Sequence, residues 1–465
     1  MFDLLKYKDN IACIDNNGDL FTYEDVNNIS MMIGKYVEPH KLVFSITTNT
    51  IESVAGYISF MNRECTTLLL GKDIDVVKLV KYSDTYEPIY YWVPNEFIDL
   101  LSLKEICFSY GNYSLLRSNY VCDKIMPLNL NLLLTTSGST GSPKLVRLSK
   151  RNLLSNAESI KEYLNLGADD RTVTSLPMNY SFGLSIINSY LLSGSSILLT
   201  DLSYIQKEFW SLFDQFECTS FSGVPYTFEI LKKIKFWSKE HKNLRTLTQA
   251  GGKLNNDLIR YFTDNSESRG VQFYVMYGQT EATARISYLP PDMVKEKIGS
   301  IGKVIPNGKL LLIDEFSGEI LDSNVVGELV YKGENVSLGY AENKDELTSV
   351  DVNDSYLKTG DLAYRDGDGY YFITGRKSRF LKLFGNRINL DQIEILLKSQ
   401  HLSAACVGSD EKLIVYVEEY STEKLIVDYI SNEIKINRKA IEVRFIEKLP
   451  RSESGKILYS KLLNI

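Results

Sequence analysis

Histidine is the scarcest chemistry-bearing residue in this chain. Only three occur in 465 residues (His40, His241 and His401), and they are scattered. That argues against a metal site or a catalytic triad built on histidine and leaves each as a surface or packing residue. The six cysteines (Cys13, Cys65, Cys107, Cys122, Cys218, Cys406) lie far apart and form no C-x-x-C pair. Neither a zinc site nor a disulfide framework is expected, and the pattern fits a reducing, cytoplasmic setting. There is no long basic run, and the net charge is a mild −7, so nucleic acid is not an expected partner. No apolar run approaches the ~20 residues of a membrane span. The opening MFDLLKYKDN has no apolar core long enough for a signal peptide. Repeats and low-complexity segments are also missing.

What is present reads as a soluble globular protein, 44% hydrophobic and 24% charged, and too long for one ordinary core. Leu132–Thr136, Thr172–Leu176, Ile197–Asp201, Ser220–Val224, Arg245–Gln249 and Phe273–Tyr277 are short, apolar or β-branched, and bounded by Gly, Pro or Asp, which predicts buried strands. Amphipathic stretches lie between them: Asn152–Leu164, Ile205–Phe216, Phe228–Phe236 and Asn256–Phe262. Such alternation predicts layered α/β architecture with parallel strands. After Ile298 the texture changes. Lys309–Asp314, Gly327–Lys332 and Tyr370–Thr374 read as strands joined by glycine turns, a small β-rich subdomain. Helices and strands mix again after Gly375 (Leu390–Lys398, Leu413–Glu418, Glu423–Ile434, Glu442–Ile446), as in a small α+β domain. A boundary near Gly375–Arg379 divides residues 1–377 from 378–465.

Between the Leu132–Thr136 strand and the helix expected from Asn152 lies TSGSTGSPK, residues 136–144. Small residues let a backbone curl round an anion with its N–H groups inward, and Lys144 adds a positive charge. A nucleotide triphosphate tail is the natural guest, although the Walker pattern G-x-x-x-x-G-K-[ST] is not matched. The plain alternative is a flexible linker. YGQTEA (277–282) ends an apolar strand with an aromatic for a base, a hydroxyl for phosphate, and Glu281, an oxygen ligand for Mg²⁺; it could also be an ordinary turn. KTGDLA (358–363) sets Asp361 after a turn, suited to ribose hydroxyls or to a simple Asx turn. A basic run follows Gly375-Arg376, and LPRSESGKI (449–457) puts Lys456 on a glycine-bearing loop; both could be solvated surface.

Taken in order, TSGSTGSPK, YGQTEA, GELVYKGENVSLGY (327–340), KTGDLA, GRKSRFLKLFGNRINLDQIE (375–394) and LPRSESGKI resemble the motifs of the adenylate-forming (AMP-binding) superfamily: acyl-CoA synthetases, peptide-synthetase adenylation domains and luciferases. Phe21-Thr22-Tyr23 is similar to an early segment of that family, and the likeness covers nearly the whole chain. It implies a large N-terminal domain and a small mobile C-terminal domain. It also implies a two-step reaction, in which a carboxylate attacks the α-phosphate of ATP and the acyl-AMP then acylates a thiol. On this resemblance Thr136, Ser137, Gly138, Ser139, Thr140, Gly141 and Lys144 would hold the β- and γ-phosphates. Tyr277 and Gly278 would meet adenine, with Gly252 near its edge. Thr280 would contact the α-phosphate, Glu281 would bind Mg²⁺, Asp361 and Arg376 would take the ribose, and Lys456 would stabilise the developing charge. Ser378 would be the hinge, where many relatives have Asp or Lys, and Lys382 and Gly385 would line the entry of the thiol.

The acid is less legible. By the same resemblance Tyr180, Gly183, Ser222, Gly223, Val224, Ala250, Gly251 and Met276 would line its pocket, and these mostly small or apolar residues suit an uncharged acyl chain. Gly183 falls where amino-acid-activating relatives carry Asp, which disfavours an α-amino acid, since a buried unpaired ammonium is costly. Tyr180 stands where many acyl- and aryl-CoA synthetases have histidine, and Gln279 replaces the proline usual in peptide synthetases. The expectation is a stand-alone ligase acting on a small carboxylic acid, with ATP and Mg²⁺, and with CoA or a separate carrier protein's phosphopantetheine as acceptor. The competing readings are a D-alanine-ligase type that loads a carrier, a nucleotide-binding protein that has lost its chemistry, and a luciferase-like oxygenase, which no residue favours.

Overall fold

The computed structural model describes residues 3–101, 105–120, 125–135, 144–314, 316, 318–383, 386–409, 412–418, 423–451 and 457–462, without the side chains of Ser378, Phe380, Lys382, Asn386, Arg387 and Ser460. The chain forms two compact units, residues 1–309 with 331–357 and residues 310–330 with 358–465.

The first unit holds a nine-stranded and an eight-stranded sheet. In the nine-stranded sheet Arg171–Val173, Ser220–Gly223, Thr246–Gln249 and Gln272–Tyr277 are parallel neighbours in that spatial order. Helices Pro225–Lys233 and Asn256–Glu267 form the crossovers between the last three. This is the α/β layering that the alternating pattern predicts. The strand expected over Thr172–Leu176 ends earlier, at Val173. Thr174 turns its hydroxyl onto the carbonyls of Leu198 and Thr200, and the segment leaves the sheet before Pro177.

The glycine-rich loop is flanked differently from expectation. Leu132–Thr135 does not lead directly to a helix but pairs antiparallel with a second strand, Leu145–Leu148, in register Thr135↔Leu145. LVRL is too short and too charged to read as a strand, yet Arg147 is only 1% exposed. Its guanidinium donates to the carbonyls of Leu338, Ser349 and Val350 at 2.6–2.9 Å, so the backbone substitutes for water. The helix Lys150–Tyr163 then starts at Ser149, which forms a capping box with Asn152. Thr22-Tyr23 is also architectural: Thr22 caps helix Tyr23–Gly34 with Asp25, and the buried Tyr23 hydroxyl donates to the Ser195 carbonyl at 2.8 Å.

The second unit begins with most of a five-stranded sheet, in which Tyr356–Arg365 pairs antiparallel with Tyr371–Arg376. The C-terminal part adds a three-stranded sheet (Ala404–Ser409, Lys412–Val417, Ile441–Phe445) with helices Leu390–Ser399 and Glu423–Ile434, close to the predicted α+β pattern. Leu390, Ile393, Leu397, Leu413, Val415 and Ile430 belong to its core.

Candidate active site

Three neighbouring parallel strands of the first unit end side by side, and the residues at or just after their ends are those the sequence singles out: Ser222-Gly223-Val224, Ala250-Gly251-Gly252 and Met276-Tyr277. Ligands of open α/β sheets bind at such carboxyl ends, where the chain leaves the sheet and side chains can converge. Around Gly251 the approach is close. Its φ is +86°, and a Cβ there would meet the Tyr180 hydroxyl at 2.6 Å and Val224 at 3.1 Å. Tyr180, Val224 and Gly251 are therefore one wall. Ser222 hydrogen-bonds Thr248 at 2.8 Å, and Met276 accepts from the Tyr163 hydroxyl at 3.0 Å.

Two expected pocket glycines have packing roles. A Cβ on Gly223 would strike Thr227 at 2.7 Å. A Cβ on Gly183 would strike the Pro177 carbonyl at 2.2 Å. The lack of a carboxylate at position 183 is thus required by the close approach of helix Ser181–Ser193 to backbone, and by itself it says nothing about the substrate.

The turn after Tyr277 is tightly built. A Cβ on Gly278 would lie 1.8 Å from the Ala284 carbonyl oxygen. Thr280–Ala282 is a single 3-10 turn. Thr283 then takes φ 63°, ψ −60°, and Ala284 N–H donates back to Ala282 O. This γ-turn is of the strained hand and costs a β-branched residue about 1–3 kcal/mol. Asn335 (3% exposed) offsets the strain, its side-chain amide donating to Ala282 O and Arg285 O, each at 2.8 Å. Tyr331 in turn donates to the Asn335 Oδ1. The result presents Thr280 and Glu281 half-exposed, with Thr280 Oγ1 3.2 Å from Ser181 Oγ.

Lys144 and Glu281 meet through a residue that sequence reasoning quoted without a role. Tyr340 donates its hydroxyl to Glu281 Oε1 at 2.7 Å, and Lys144 Nζ stands 3.7 Å from the centre of its ring. Burial, then the Glu281 charge, push the Tyr340 phenol above its ordinary pKa, so it remains a donor at neutral pH. Tyr340→Phe is expected to lower adenylate formation about 10-fold through a loosened Glu281 while changing stability by about 1 kcal/mol or less. Magnesium titration of pyrophosphate release with a parallel urea melt would check this, and unchanged magnesium dependence would count against the link.

Glu281 also fits the expected metal. No group of three or more His, Cys, Asp or Glu among the described residues could hold an ion. A single carboxylate linked through Tyr340 to a lysine suits Mg²⁺, which keeps its waters and takes most other ligands from phosphate.

In the second unit Asp361 is buried, 3% exposed, and accepts from Arg376 Nε at 3.0 Å across the strand pair. Thr359 locks the turn before it, donating to Leu329 O and accepting from the Asp361 N–H. Ser378 lies in the 3-10 turn Lys377–Arg379, and Lys382 in strand Phe380–Leu383. Thr136, Ser137, Gly138, Ser139, Thr140, Gly141, Gly385 and Lys456 lie outside the described residues. Among the described residues nearby, Arg451 bridges Ile457, and Leu458 N–H donates to Pro450 O at 2.8 Å.

Sequence reasoning missed Arg285 altogether. It is 3% exposed, and its guanidinium carbon sits 4.0 Å over the Phe182 ring. A charge inside the apolar run ATARISYL was the available signal.

Comparison with known proteins agrees with this geometry. Residues 103–341 match the family model described as AMP-binding enzyme. The sulfoacetate–CoA ligase of Cupriavidus necator is 31% identical over 346 residues, 72% of this chain and 66% of that protein. A luciferin 4-monooxygenase of Luciola mingrelica is 28% identical over 70% of this chain and 62% of its own length. The chain thus spans somewhat under two thirds of these relatives. Among solved structures, the O-succinylbenzoate coenzyme A synthetase of Bacillus subtilis in complex with AMP superposes with TM-score 0.80 at 20% identity, covering 99% of this chain and 97% of the other. The same synthetase has been solved with ATP and a magnesium ion. With half of its length matched by the family model, this chain belongs to the AMP-binding enzymes of the adenylate-forming superfamily.

Proposed function

We propose that the chain is an AMP-forming ligase that activates a carboxylic acid as its acyl-adenylate and passes the acyl group to coenzyme A. One observation carries the reading. Lys144, Tyr340 and Glu281 form a phosphate-and-metal end, and through Thr280 and Ser181 it adjoins the Tyr180–Val224–Gly251 wall. Triphosphate and acid are thereby set for in-line attack, a reaction in which the protein mainly positions groups and neutralises charge. Thr280 orients the α-phosphate, and Lys144 balances the departing pyrophosphate. Glu281 would hold Mg²⁺, which supplies charge neutralisation on the phosphates. Asp361, with Arg376 beside it, takes the ribose hydroxyls, and Lys456 stabilises the transition-state charge.

The thiol step uses residues 378–465 as a mobile domain turning at Ser378. The anchoring on either side of that residue supports this. Lys377 pairs with Glu328 of the five-stranded sheet at 3.1 Å. Arg379 pairs with Asp391 at 2.8 Å and Glu394 at 2.5 Å, donates to Cys406 O, and stacks on Tyr459, all C-terminal to the hinge. The one residue between these anchors can absorb the backbone change. Relatives named as CoA ligases favour coenzyme A over a carrier's phosphopantetheine. A buried cation, Arg285, beside Tyr180 disfavours an ammonium-bearing substrate such as D-alanine.

The test is ATP–pyrophosphate exchange over a panel of acids, followed by CoA-dependent AMP release with the acid that responds. Exchange plus thioester is the expected result. ATP binding without exchange for any acid would replace this reading with that of a silent nucleotide-binding protein.

A further inference from the structure

Among the described residues no carboxylate pairs with Arg285, and its Nε has no hydrogen-bond partner. Its polar contacts include the Tyr163 phenol and, at 3.5 Å, the Ala284 carbonyl. Its neighbours are aromatic. The ring of Phe182 lies beneath the guanidinium. The phenols of Tyr163 and Tyr180 are close enough to interact with it; Tyr163 accepts from the arginine while donating to Met276, and Tyr180 can donate to an anion. Burial pulls the arginine's pKa down from its ordinary value. The other buried arginines differ: Arg147 has three backbone carbonyls, and Arg379 has two carboxylates. A buried guanidinium held by a phenol, a ring face and one long carbonyl contact, with no carboxylate among the described residues, is costly, and a binding partner is one reason for a fold to carry it.

Its place indicates what the partner is. Ala284 and Arg285 are held by the γ-turn clamp of Asn335, directly after Glu281. Tyr163 links it to Met276, and Tyr180 links it to the Gly251 wall. Arg285 therefore lies on the acid side of the site, while Thr280 and Lys144 mark the phosphate side. The reacting carboxylate must keep its electron pair available for phosphorus, and a desolvated guanidinium would hold that pair back.

We propose that Arg285 receives a second anionic group on the acid, so that the substrate is a small carboxylic acid bearing another carboxylate or a sulfonate. This rests on the ligase reading above and replaces the uncharged acyl chain that the pocket's small residues imply. It agrees with the sulfonate and the second carboxylate in the names of the two CoA-ligase relatives.

The experiment uses the full chain with three dianionic acids, each beside a monoanionic analogue that keeps one carboxylate: sulfoacetate with 3,3-dimethylbutyrate, succinate with succinamate, and 2-succinylbenzoate with both 4-(2-methylphenyl)-4-oxobutyrate and 2-butyrylbenzoate, which keep its aliphatic and its aromatic carboxylate respectively. Pyrophosphate exchange and thermal shift are both read. The wild type should favour at least one dianion over its monoanionic analogue by about 100-fold in kcat/KM, and that dianion should raise the melting temperature. Arg285→Met should lose the preference and melt at or above the wild-type temperature, because an uncompensated charge has been removed. Arg285→Lys should retain most of the preference, which keeps the test open if the methionine variant misfolds. Which dianion responds separates sulfonate from carboxylate. Exchange with the analogues at equal or higher rate would overturn the inference and leave the ligase reading standing. An Arg285-dependent thermal shift without exchange would do the reverse. Equal loss on dianion and analogue in Arg285→Met would assign the arginine to the reacting carboxylate instead.

Discussion

Alanine at position 278 is expected to lower adenylate formation about 100-fold or more and to destabilise the first unit by about 3 kcal/mol. The conformation is not the obstacle, since Gly278 does not have a left-handed φ. The obstacle is space: the new methyl would fall 1.8 Å from the Ala284 carbonyl oxygen and 2.7 Å from its carbon. Both atoms are backbone, so no rotamer change relieves the clash. The Ala284 side is held by the γ-turn and by Asn335, and the Gly278 side by the Gln272–Tyr277 strand. Whichever yields, Thr280 and Glu281 are displaced, and a shift of about 1 Å in a positioned group is worth about 100-fold in rate. Urea unfolding and pyrophosphate exchange read the two effects. Gly167→Ala is the control, because nothing lies within 4 Å of its Cβ position and its φ is ordinary. It should stay within about 0.5 kcal/mol of wild type. Wild-type exchange in Gly278→Ala would show that the turn does not position the reaction.

Lys456→Ala should separate the two half-reactions. Loss of one positioned charge at a developing anion costs about 100- to 1,000-fold in rate, so exchange should fall by that factor. Thiolysis of a supplied acyl-adenylate should persist within a few-fold, because in the proposed scheme that step follows rotation at Ser378 and takes Lys456 away from the reacting atoms. Stability should change little, since the flanking Arg451–Ile457 bridge and the buried Leu449 and Leu462 are retained. A stopped assay with pre-formed adenylate, beside exchange on the same preparation, measures both rates. Equal loss of both steps would contradict the division of labour.

Much of this site could be read in the chain itself. Strand ends followed by Gly, Ser and Thr at 222–224, 250–252 and 276–281 are local signals, and local backbone physics places them at the carboxyl edge of a parallel sheet. The helices between them were also legible, with ends misplaced by a few residues because caps such as Ser149 lie outside the amphipathic pattern. Other features depend on distant contacts that no window of sequence contains. Gly183 reads as a missing carboxylate until the Pro177 carbonyl is seen against it. Tyr340 is the last letter of a motif until it is found between Lys144 and Glu281, 196 and 59 positions away in sequence order.

The sequence by itself determined the family, the α/β class, and the residue types that could serve ATP, because these depend on short spacings and backbone freedom. Only the tertiary structure decided which glycines are spaces for neighbouring backbone, which phenol joins lysine to glutamate, and that Arg285 is a buried cation with no carboxylate beside it among the described residues. Burial and pairing are properties of the packed chain: a charge costs little in an unfolded segment and several kcal/mol once its water has gone.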